Sequence, residues 1–188
     1  PISGCTHPNA TNYDETANVD DGSCEYPDNG DYSLSFDGED DYVELVPIDL
    51  SCCNALTISS DIYVDEFSEY IILLRQESNT LDWLLQINVT GTYIESQIIT
   101  STQSAAVHYY INSDEFLNQW NTITTTYDGE YVRIYINGLL VGTQIWSGII
   151  NYHNDAILYF GGNPTNNNHD LNGKLDNISI WNLSLDIS

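Results

Sequence analysis

Apolar and polar residues alternate with a period of two along several short stretches from Tyr32 onward. One such stretch places Leu56, Ile58, Ile62 and Val64 on a single face, and another does the same for Trp83, Leu85, Ile87 and Val89. Because successive side chains of a strand point to opposite faces of a sheet, this period predicts half-buried β-strands. The unbroken apolar run over residues 70–74 predicts a central strand that is buried on both faces.

Two dipeptides predict tight hairpin turns within this pattern. Asp128-Gly129 and Asn137-Gly138 each separate two alternating stretches, and the primed turns of short hairpins need residues that tolerate positive φ. Further strands are predicted over residues 93–99, 156–160 and 178–181, with one short helical turn between residues 113 and 119. About ten or more strands at this spacing predict an all-β sandwich or barrel.

The first 29 residues lack this alternation and form a separate predicted unit, a disulfide-tied cap before a sandwich over residues 30–188. Cys5 and Cys24 flank a short loop that is rich in Asn and Asp, which favours a disulfide and therefore an oxidising compartment. We therefore expect a secreted or cell-surface protein. Cys52 and Cys53 are then either free or joined to each other as a vicinal pair, and the sequence leaves both alternatives open.

The charge balance narrows the choice of partners. Twenty-eight carboxylates face only Arg75, Arg133 and Lys174, so the formal net charge is −25. Such a surface repels phosphate backbones and anionic membranes, which argues against nucleic acid and lipid headgroups as partners. No stretch approaches the roughly 20 apolar residues that span a bilayer, so no membrane insertion is expected. Clustered carboxylates are suitable calcium ligands. Scattered carboxylates are compatible with a saline habitat, where dissolved ions screen their mutual repulsion.

Three segments resemble a known family when they are taken in order. Residues 120–129 (WNTITTTYDG), followed by 132–138 (VRIYING) and Val141-Gly142, are similar to the central hairpins of laminin-G-like domains. Residues 35–44 (SFDGEDDYVE) agree near the start, and residues 160–163 (FGGN) with 172–181 (NGKLDNISIW) agree near the end. The resemblance covers roughly residues 32–188. It implies a two-sheet antiparallel jelly-roll sandwich of the concanavalin A-like group.

The same resemblance implies a calcium (Ca²⁺) site at the edge of the sandwich. In the family, the stretch after the first strand and an Asp of the last strand approach each other, often around a calcium ion. The corresponding residues here are Asp37, Asp40, Asp41 and Asp176. Calcium takes six to eight oxygen ligands, partly from carboxylates. The alternative is that Asp37-Gly38 forms only a turn and Asp176 only a hydrogen bond.

The cap is a second candidate calcium site. Its pattern GCT, NY and DDGSC resembles a repeat of secreted proteins of marine bacteria, which usually lies beside surface or secreted domains. Oxygen donors within the loop are Asn12, Asp14, Asn18, Asp20 and Asp21. Their spacing does not fit an EF-hand. A loop that is held by the disulfide alone is the alternative.

A catalytic interpretation rests on one short string. Glu39, Asp41 and Glu44 match the Glu-x-Asp-x-x-Glu pattern of retaining glycosidases with a concanavalin-like fold, which need two carboxyl groups about 5–5.5 Å apart. The string lacks the usual apolar residue between its first two acids, and it overlaps the predicted calcium segment. We therefore expect no enzyme.

Sugar recognition needs aromatic faces together with planar amide or carboxylate groups. The candidate ligand residues are Tyr109, Trp146, Tyr152, His153, Asn166, Asn168, His169 and Asp170. Most of these aromatic residues are equally compatible with a place in the core. The sequence predicts a non-catalytic, calcium-binding extracellular module that recognises a glycan or surface polymer, for adhesion or targeting of a larger multidomain protein. The alternatives are a calcium-rigidified structural spacer and a glycoside hydrolase.

Overall fold

The computed structural model describes residues 1–25, 32–49, 54–67, 70–77, 81–88, 92–100, 104–164 and 169–187. It divides into two compact units, Pro1–Tyr32 and Ser33–Ser188. The predictions for Cys52, Cys53, Val89, Asn166 and Asn168 lie outside the described residues. Within the described part, no helix is long and apolar enough to cross a bilayer.

The first unit is held by a covalent bond and a short parallel strand pair. Strands β1 (Ser3–Gly4) and β2 (Val19–Asp20) pair in parallel. The disulfide between Cys5 and Cys24 is present, as predicted, and Cys5 is almost fully buried. We call this unit the cap. Few apolar side chains are buried in it, so the disulfide contributes much of its stability.

The second unit is a sandwich of two six-stranded antiparallel sheets, which confirms the predicted fold class. Sheet I contains, in spatial order, β12 (Leu139–Ile145), β11 (Tyr131–Ile136), β10 (Trp120–Tyr127), β5 (Leu56–Glu66), β14 (Asn172–Trp181) and β3 (Leu34–Asp37). Sheet II contains β4 (Val43–Leu45), β13 (Ile157–Phe160), β6 (Tyr70–Glu77), β7 (Leu81–Asn88), β8 (Tyr93–Ile99) and β9 (Ser104–Tyr110). A single helical turn, α1 (Ser113–Phe116), connects the two sheets between β9 and β10.

The core forms where the predicted apolar faces of the two sheets meet. All four predicted residues of β5 and all three described ones of β7 are buried. The predicted central strand β6 lies between β13 and β7, and Ile71, Leu73 and Leu74 are fully buried. Leu34 is an exception because it begins the edge strand β3 and stays 42% exposed, whereas Phe36 is buried.

The two predicted hairpins differ in their turns. Asn137 and Gly138 both have positive φ, as a primed two-residue turn requires. In the other hairpin only Gly129 has positive φ, and the Asp128 side chain accepts the N–H groups of Glu130 and Tyr131 at 2.9 and 2.7 Å. That carboxylate holds a three-residue loop in place of the expected tight turn.

The last strand is longer than predicted. It begins at Asn172 instead of Ile178, because the chain passes through an irregularity between Asp176 and Ser179 and then resumes pairing with β5. Asn177 adopts a positive φ at this point. The irregularity breaks the alternation on which the prediction depended.

Candidate functional site

Three aspartates converge where β3 ends. A carboxylate oxygen from each of Asp37, Asp40 and Asp41 lies within 4.8 Å of the others, and all three side chains are exposed. We call these three residues the rim cluster. Asp41 accepts the N–H of Asp37 at 3.1 Å, and Asp37 accepts the N–H of Glu39 at 3.0 Å. Gly38, with φ of +81°, permits the turn that brings them together.

A fourth aspartate joins this region from the other end of the sandwich sequence. Asp170 lies two residues before β14, whose first residue Asn172 pairs with Asp37. The Asp170 side chain is buried and accepts the N–H of Asn163 at 3.3 Å. It lines a cleft of about 280 Å³ together with Glu39, Asp40, Tyr42, Asn163 and Pro164. We call this the rim cleft.

The environment of Asp170 disfavours its charge. Burial raises the pKa of this carboxyl group, and the carboxylates of Asp40 and Asp37 raise it further, while the N–H of Asn163 and the neighbouring His169 act in the opposite direction. A side chain at Gly162 would collide here, because a Cβ atom would lie 2.6 Å from Asp170 Oδ1 and 2.8 Å from the Asp41 carbonyl oxygen. The absence of a side chain therefore lets carboxylate and carbonyl oxygens face one small space.

Asp176 was predicted to belong to this cluster, but the structure does not bring it there. It lies four residues further along β14 than Asn172, a distance of about 13 Å along a strand. Its carboxylate accepts the N–H of Asn177 at 2.7 Å, and its cross-strand neighbour is Asp61. Asp170, which the sequence analysis assigned to ligand binding, takes its place at the rim.

The candidate ligands of the cap are mostly engaged with nearby backbone groups. Asp14, Asp20 and Asp21 each accept the N–H of the residue two positions later, at 2.8–3.0 Å. The Asn12 side chain spans Ser23 and Glu25, and that of Asn18 accepts the N–H of Ile2. Within the described residues, acidic, His or Cys side chains converge in a group of three at the rim cluster and not in the cap.

Sheet II has a second surface of interest on the side away from the core. Residues that face each other across neighbouring strands share one face of a sheet. Since Leu85, Ile87 and Ile94 point inward, the alternate residues point outward. We call this surface the outer face of sheet II. The described residues on it include Glu44, Arg75, Leu84, Gln86, Asn88, Tyr93, Glu95, Gln97, His108, Tyr110 and Tyr159.

Amide, carboxylate and aromatic groups are interleaved on this face. Gln86 donates to Glu95 at 2.8 Å, and the His108 ring nitrogen lies 3.7 Å from the same carboxylate group. In the neighbouring row, Asn88 donates to the Tyr93 hydroxyl at 2.9 Å. The Tyr93 ring contacts both the His108 ring and the edge-on Tyr110 ring, with centroids 4.6 and 5.6 Å apart.

The middle of the outer face is recessed and leaves polar atoms without partners. Leu84, Gln86 and Asn88 are each less than a tenth exposed, whereas Tyr110 on the edge strand β9 is 72% exposed. Asn88 Oδ1 and Arg75 Nε are buried and have no hydrogen-bond partner within the part of the chain that the structure describes. A buried polar atom without a partner is costly, so a hydrogen bond to either atom would stabilise the protein.

The structure places the sequence-predicted ligand residues elsewhere. Tyr109 pairs with Ile94 and so points between the sheets, while Trp146 and Tyr152 are partly buried against the core. His153 is half-buried in the loop before β13, and His169 lies beside Asp170. The sequence pattern predicted the buried residues Trp83, Leu85 and Ile87 but assigned no role to the polar residues that alternate with them, and the outer face was therefore missed.

The glycosidase-like string does not lie along one strand. Glu39 is in the loop after β3, Asp41 belongs to the rim cluster, and Glu44 lies on the edge strand β4 opposite Tyr159. Retaining glycosidases hold nucleophile and acid side by side across the scissile bond. The string therefore crosses from a loop onto an edge strand.

Comparison with solved structures finds the same fold in several proteins at low identity. The heptameric SAP-like pentraxin of Limulus polyphemus aligns with a TM-score of 0.61 at 15% identity, covering 82% of this chain and 77% of the pentraxin chain. Domains LG4-5 of the mouse laminin alpha1 chain align with a TM-score of 0.65 at 18% identity, covering 83% and 43% of the two chains.

A putative carbohydrate binding protein from Bacteroides ovatus aligns with a TM-score of 0.59 at 18% identity, covering 82% and 46%. The chain thus spans less than half of the laminin fragment and of the Bacteroides protein. No curated protein sequence matches significantly. The Laminin_G_3 family model, described as the concanavalin A-like lectin/glucanases superfamily, matches residues 37–186, and the chain therefore belongs to that family.

Proposed function

We propose that this protein is a non-catalytic extracellular module that binds a neutral glycan chain on the outer face of sheet II and holds calcium at its rim. The observation that carries the glycan assignment is the recessed row of amides and tyrosines, in which Asn88 Oδ1 and Arg75 Nε have no partner among the described residues. Membership of a lectin and glucanase superfamily supports it, as does the structural similarity to a protein that is named for carbohydrate binding.

The groups on this face suit sugar hydroxyls. Planar amides and carboxylates bind hydroxyl pairs, and tyrosine rings stack on the apolar faces of pyranoses. From Tyr159 on β13 to Tyr110 on β9 the face crosses four strand spacings, or about 19 Å. That width accommodates several linked sugar rings, so a polymer chain is a better fit than a single sugar.

Charge selects a neutral ligand over an acidic one. Glu44 and Glu95 lie on the outer face, and Glu77 pairs with Arg75 beside it. With a net charge of −25 over the chain, sulfated or uronic-acid polymers would be repelled.

The oxygen atoms of the rim fit calcium. Asp37, Asp40 and Asp41 offer three carboxylates within reach of one ion, and Asp170 adds a fourth near the Asp41 carbonyl. Hard cations with six or more oxygen ligands match this donor set, and neutralising a buried carboxylate would relieve the cost of its charge. The ion would stabilise the loop that follows β3 and supply no bond-breaking chemistry.

Binding of neutral polysaccharides tests the glycan assignment. Retardation in gels that contain soluble β-glucan, mannan or xylan should be strong for the natural chain and much weaker for Tyr110→Ala. Trp120→Ala is the matched control, because Trp120 is an exposed aromatic residue on sheet I that packs edge-on to Tyr63. Equal losses in both variants, or loss only in the control, would reject the outer face of sheet II.

The rim cluster by itself also favours a second candidate, a structural spacer that calcium stiffens. Such a spacer would bind calcium and no glycan. Calcium-dependent melting together with no retardation by any neutral or acidic polysaccharide would establish that alternative. In either case, the Cys5–Cys24 disulfide supports secretion or surface display as part of a larger protein.

A further inference from the structure

Strand β12 forms one edge of sheet I, and its apolar side chains are open to solvent. Among the described residues, no strand pairs with it on the side opposite β11. Leu139, Leu140 and Ile145 are 71%, 54% and 64% exposed. Its sequence, LLVGTQI, contains no charged residue and no proline. An edge of this kind presents unpaired backbone groups and apolar side chains to any extended chain that approaches it.

This lack of protection contrasts with the rest of the molecule. The chain carries 28 acidic residues, but none of them lies on β12. Natural edge strands normally contain charges, proline or bulges that hinder pairing with another chain. The irregularity of this ladder places one extra residue, Val141, in β12 between Leu140 and Gly142, and the strand is regular from Gly142 to Ile145. The strand has neither charge nor proline, and its regular part from Gly142 to Ile145 is therefore suited to pairing.

A cleft of about 230 Å³ lies beside the first half of this strand. It is lined by Leu139 and Val141 of β12, by Ile136 of β11, by Phe116 of α1 and by Tyr109 of β9. Its wall is mainly apolar, and the amides of Asn121 and Asn137 at its edge are already bonded to each other at 3.1 Å. The space suits one large apolar side chain from a neighbouring strand.

Carboxylates flank both ends of the strand. Glu115 is exposed and lines the same cleft as Leu139. At the other end, Ile145 pairs with Tyr131, and the carbonyl of the exposed Glu130 accepts the N–H of Trp146. The edge is therefore an uncharged stretch of about 20 Å with a carboxylate residue near each end.

We propose that β12 binds an extended segment of a partner protein by strand addition. The partner segment carries alternating apolar residues, one of which enters the cleft, and Lys or Arg at both ends opposite Glu115 and Glu130. Backbone hydrogen bonds along the edge give affinity, and the cleft and the two carboxylates give register. A second copy is a poorer occupant, because antiparallel pairing of two β12 strands would set Glu115 of one copy near Glu130 of the other.

A synthetic peptide tests this assignment on the full chain. The probe is acetyl-Lys-Val-Thr-Phe-Thr-Val-Lys-amide, with one control peptide that has Glu in place of both Lys and another that has Pro in place of Phe. Hydrogen exchange should slow at β12 amides with the first peptide and stay unchanged with the other two. Leu140→Thr combined with Ile145→Thr should weaken binding about fivefold through the loss of cross-strand apolar contacts.

Val46→Thr is the matched control, since Val46 is 84% exposed on another part of the sandwich, and it should leave binding unchanged. Equal weakening by Val46→Thr, equal binding of the proline peptide, or no binding of the first peptide would each overturn the proposal. Sedimentation provides a further check. A concentration-dependent dimer that the two threonines abolish would assign the edge to a second copy and reject the partner.

Discussion

Aspartate side chains have opposite pKa shifts in the cap and at the rim of the sandwich. In the cap, hydrogen bonds from the Thr16 hydroxyl and N–H lower the pKa of Asp14, and those from Ser23 lower the pKa of Asp21. At the rim, burial raises the pKa of Asp170, and three further carboxylates stand close together. Cap carboxylates accept nearby backbone N–H groups and do not converge in a group of three among the described residues, whereas three rim carboxylates converge beside the buried Asp170.

The difference shows that a local count of acidic residues does not identify a cation site. Asp and Asn readily accept the N–H group two residues later, so an acidic loop can satisfy itself. At the rim, the buried Asp170 comes from a chain segment distant from Asp37, Asp40 and Asp41, and carboxylates brought together in this way repel one another unless an ion neutralises them. We therefore expect calcium at the rim and not in the cap, although both were predicted.

The largest expected effect concerns the covalent bond of the cap. In a Cys5→Ser/Cys24→Ser variant, hydrogen exchange over residues 1–25 should rise sharply, because closing a loop of this size contributes about 3 kcal/mol. Added calcium should not restore protection. If it did, the cap carboxylates would hold an ion after all, and the contrast with the rim would fail.

Calcium itself should give the next largest effect. At a free concentration one hundred times its Kd, one bound ion adds about 2.7 kcal/mol to the free energy of unfolding. For a domain of this size, that is a rise of roughly 5–11 °C in Tm, measured by calorimetry at constant ionic strength. Asp40→Asn should abolish most of the rise, and Asp21→Asn in the cap is the matched control.

Magnesium at the same concentration separates binding from charge screening, because Mg²⁺ demands a smaller, stricter octahedron. An equal rise with both ions, or a rise that survives Asp40→Asn, would contradict a calcium site at the rim.

The effect of Asp170→Asn on the melting temperature should be opposite in the absence and in the presence of calcium. In EGTA at pH 7 the variant should melt a few degrees higher, since it removes a buried charge while the amide oxygen still accepts the Asn163 N–H. In calcium it should melt lower than the natural chain. Because the folded-state pKa of Asp170 is raised, its carboxyl stabilises the fold below the unfolded pKa and loses this contribution as pH rises through the folded value.

The gap between Asp170→Asn and the natural chain in EGTA should therefore close as pH falls toward 3.5. A gap that stays constant from pH 3.5 to 7 would mean that the charge of this carboxyl does not matter.

The smallest effect is expected for Asp21→Asn. The pKa of Asp21 is lowered, so its contribution is present above the unfolded pKa and disappears as pH falls through the folded value. Hydrogen exchange of the Ser23 amide, which donates to Asp21, should rise slightly at pH 7 and not at pH 3. An equal rise at both pH values would indicate a loss of packing in place of a lost charge.

Sequence analysis predicted the architecture more reliably than the site. Alternation at β5 and β7 and the Asn137-Gly138 turn depend on local rules, and these elements formed as expected. The assignment of Asp176 to the rim failed because the pairing of β14 begins at Asn172 and continues past a local irregularity. Period-two patterns do not reveal such shifts in register.

The outer face of sheet II was missed for a different reason. Gln86, Glu95 and His108 come from three strands, and only the register of those strands makes them neighbours. A single sequence contains the alternation of each strand but not the alignment between strands. The polar residues that alternate with Trp83, Leu85 and Ile87 were the available signal.

The rim joins segments that are distant along the chain, since Asp41 follows the first strand of the sandwich and Asp170 precedes its last. An ion that both residues bind would have to dissociate before β3 and β14 could separate. Its main consequence would then be kinetic, because a contact that forms late in folding slows unfolding more than it speeds refolding. In a calcium-rich medium that contains proteases, the slow dissociation of this ion would protect the protein from cleavage.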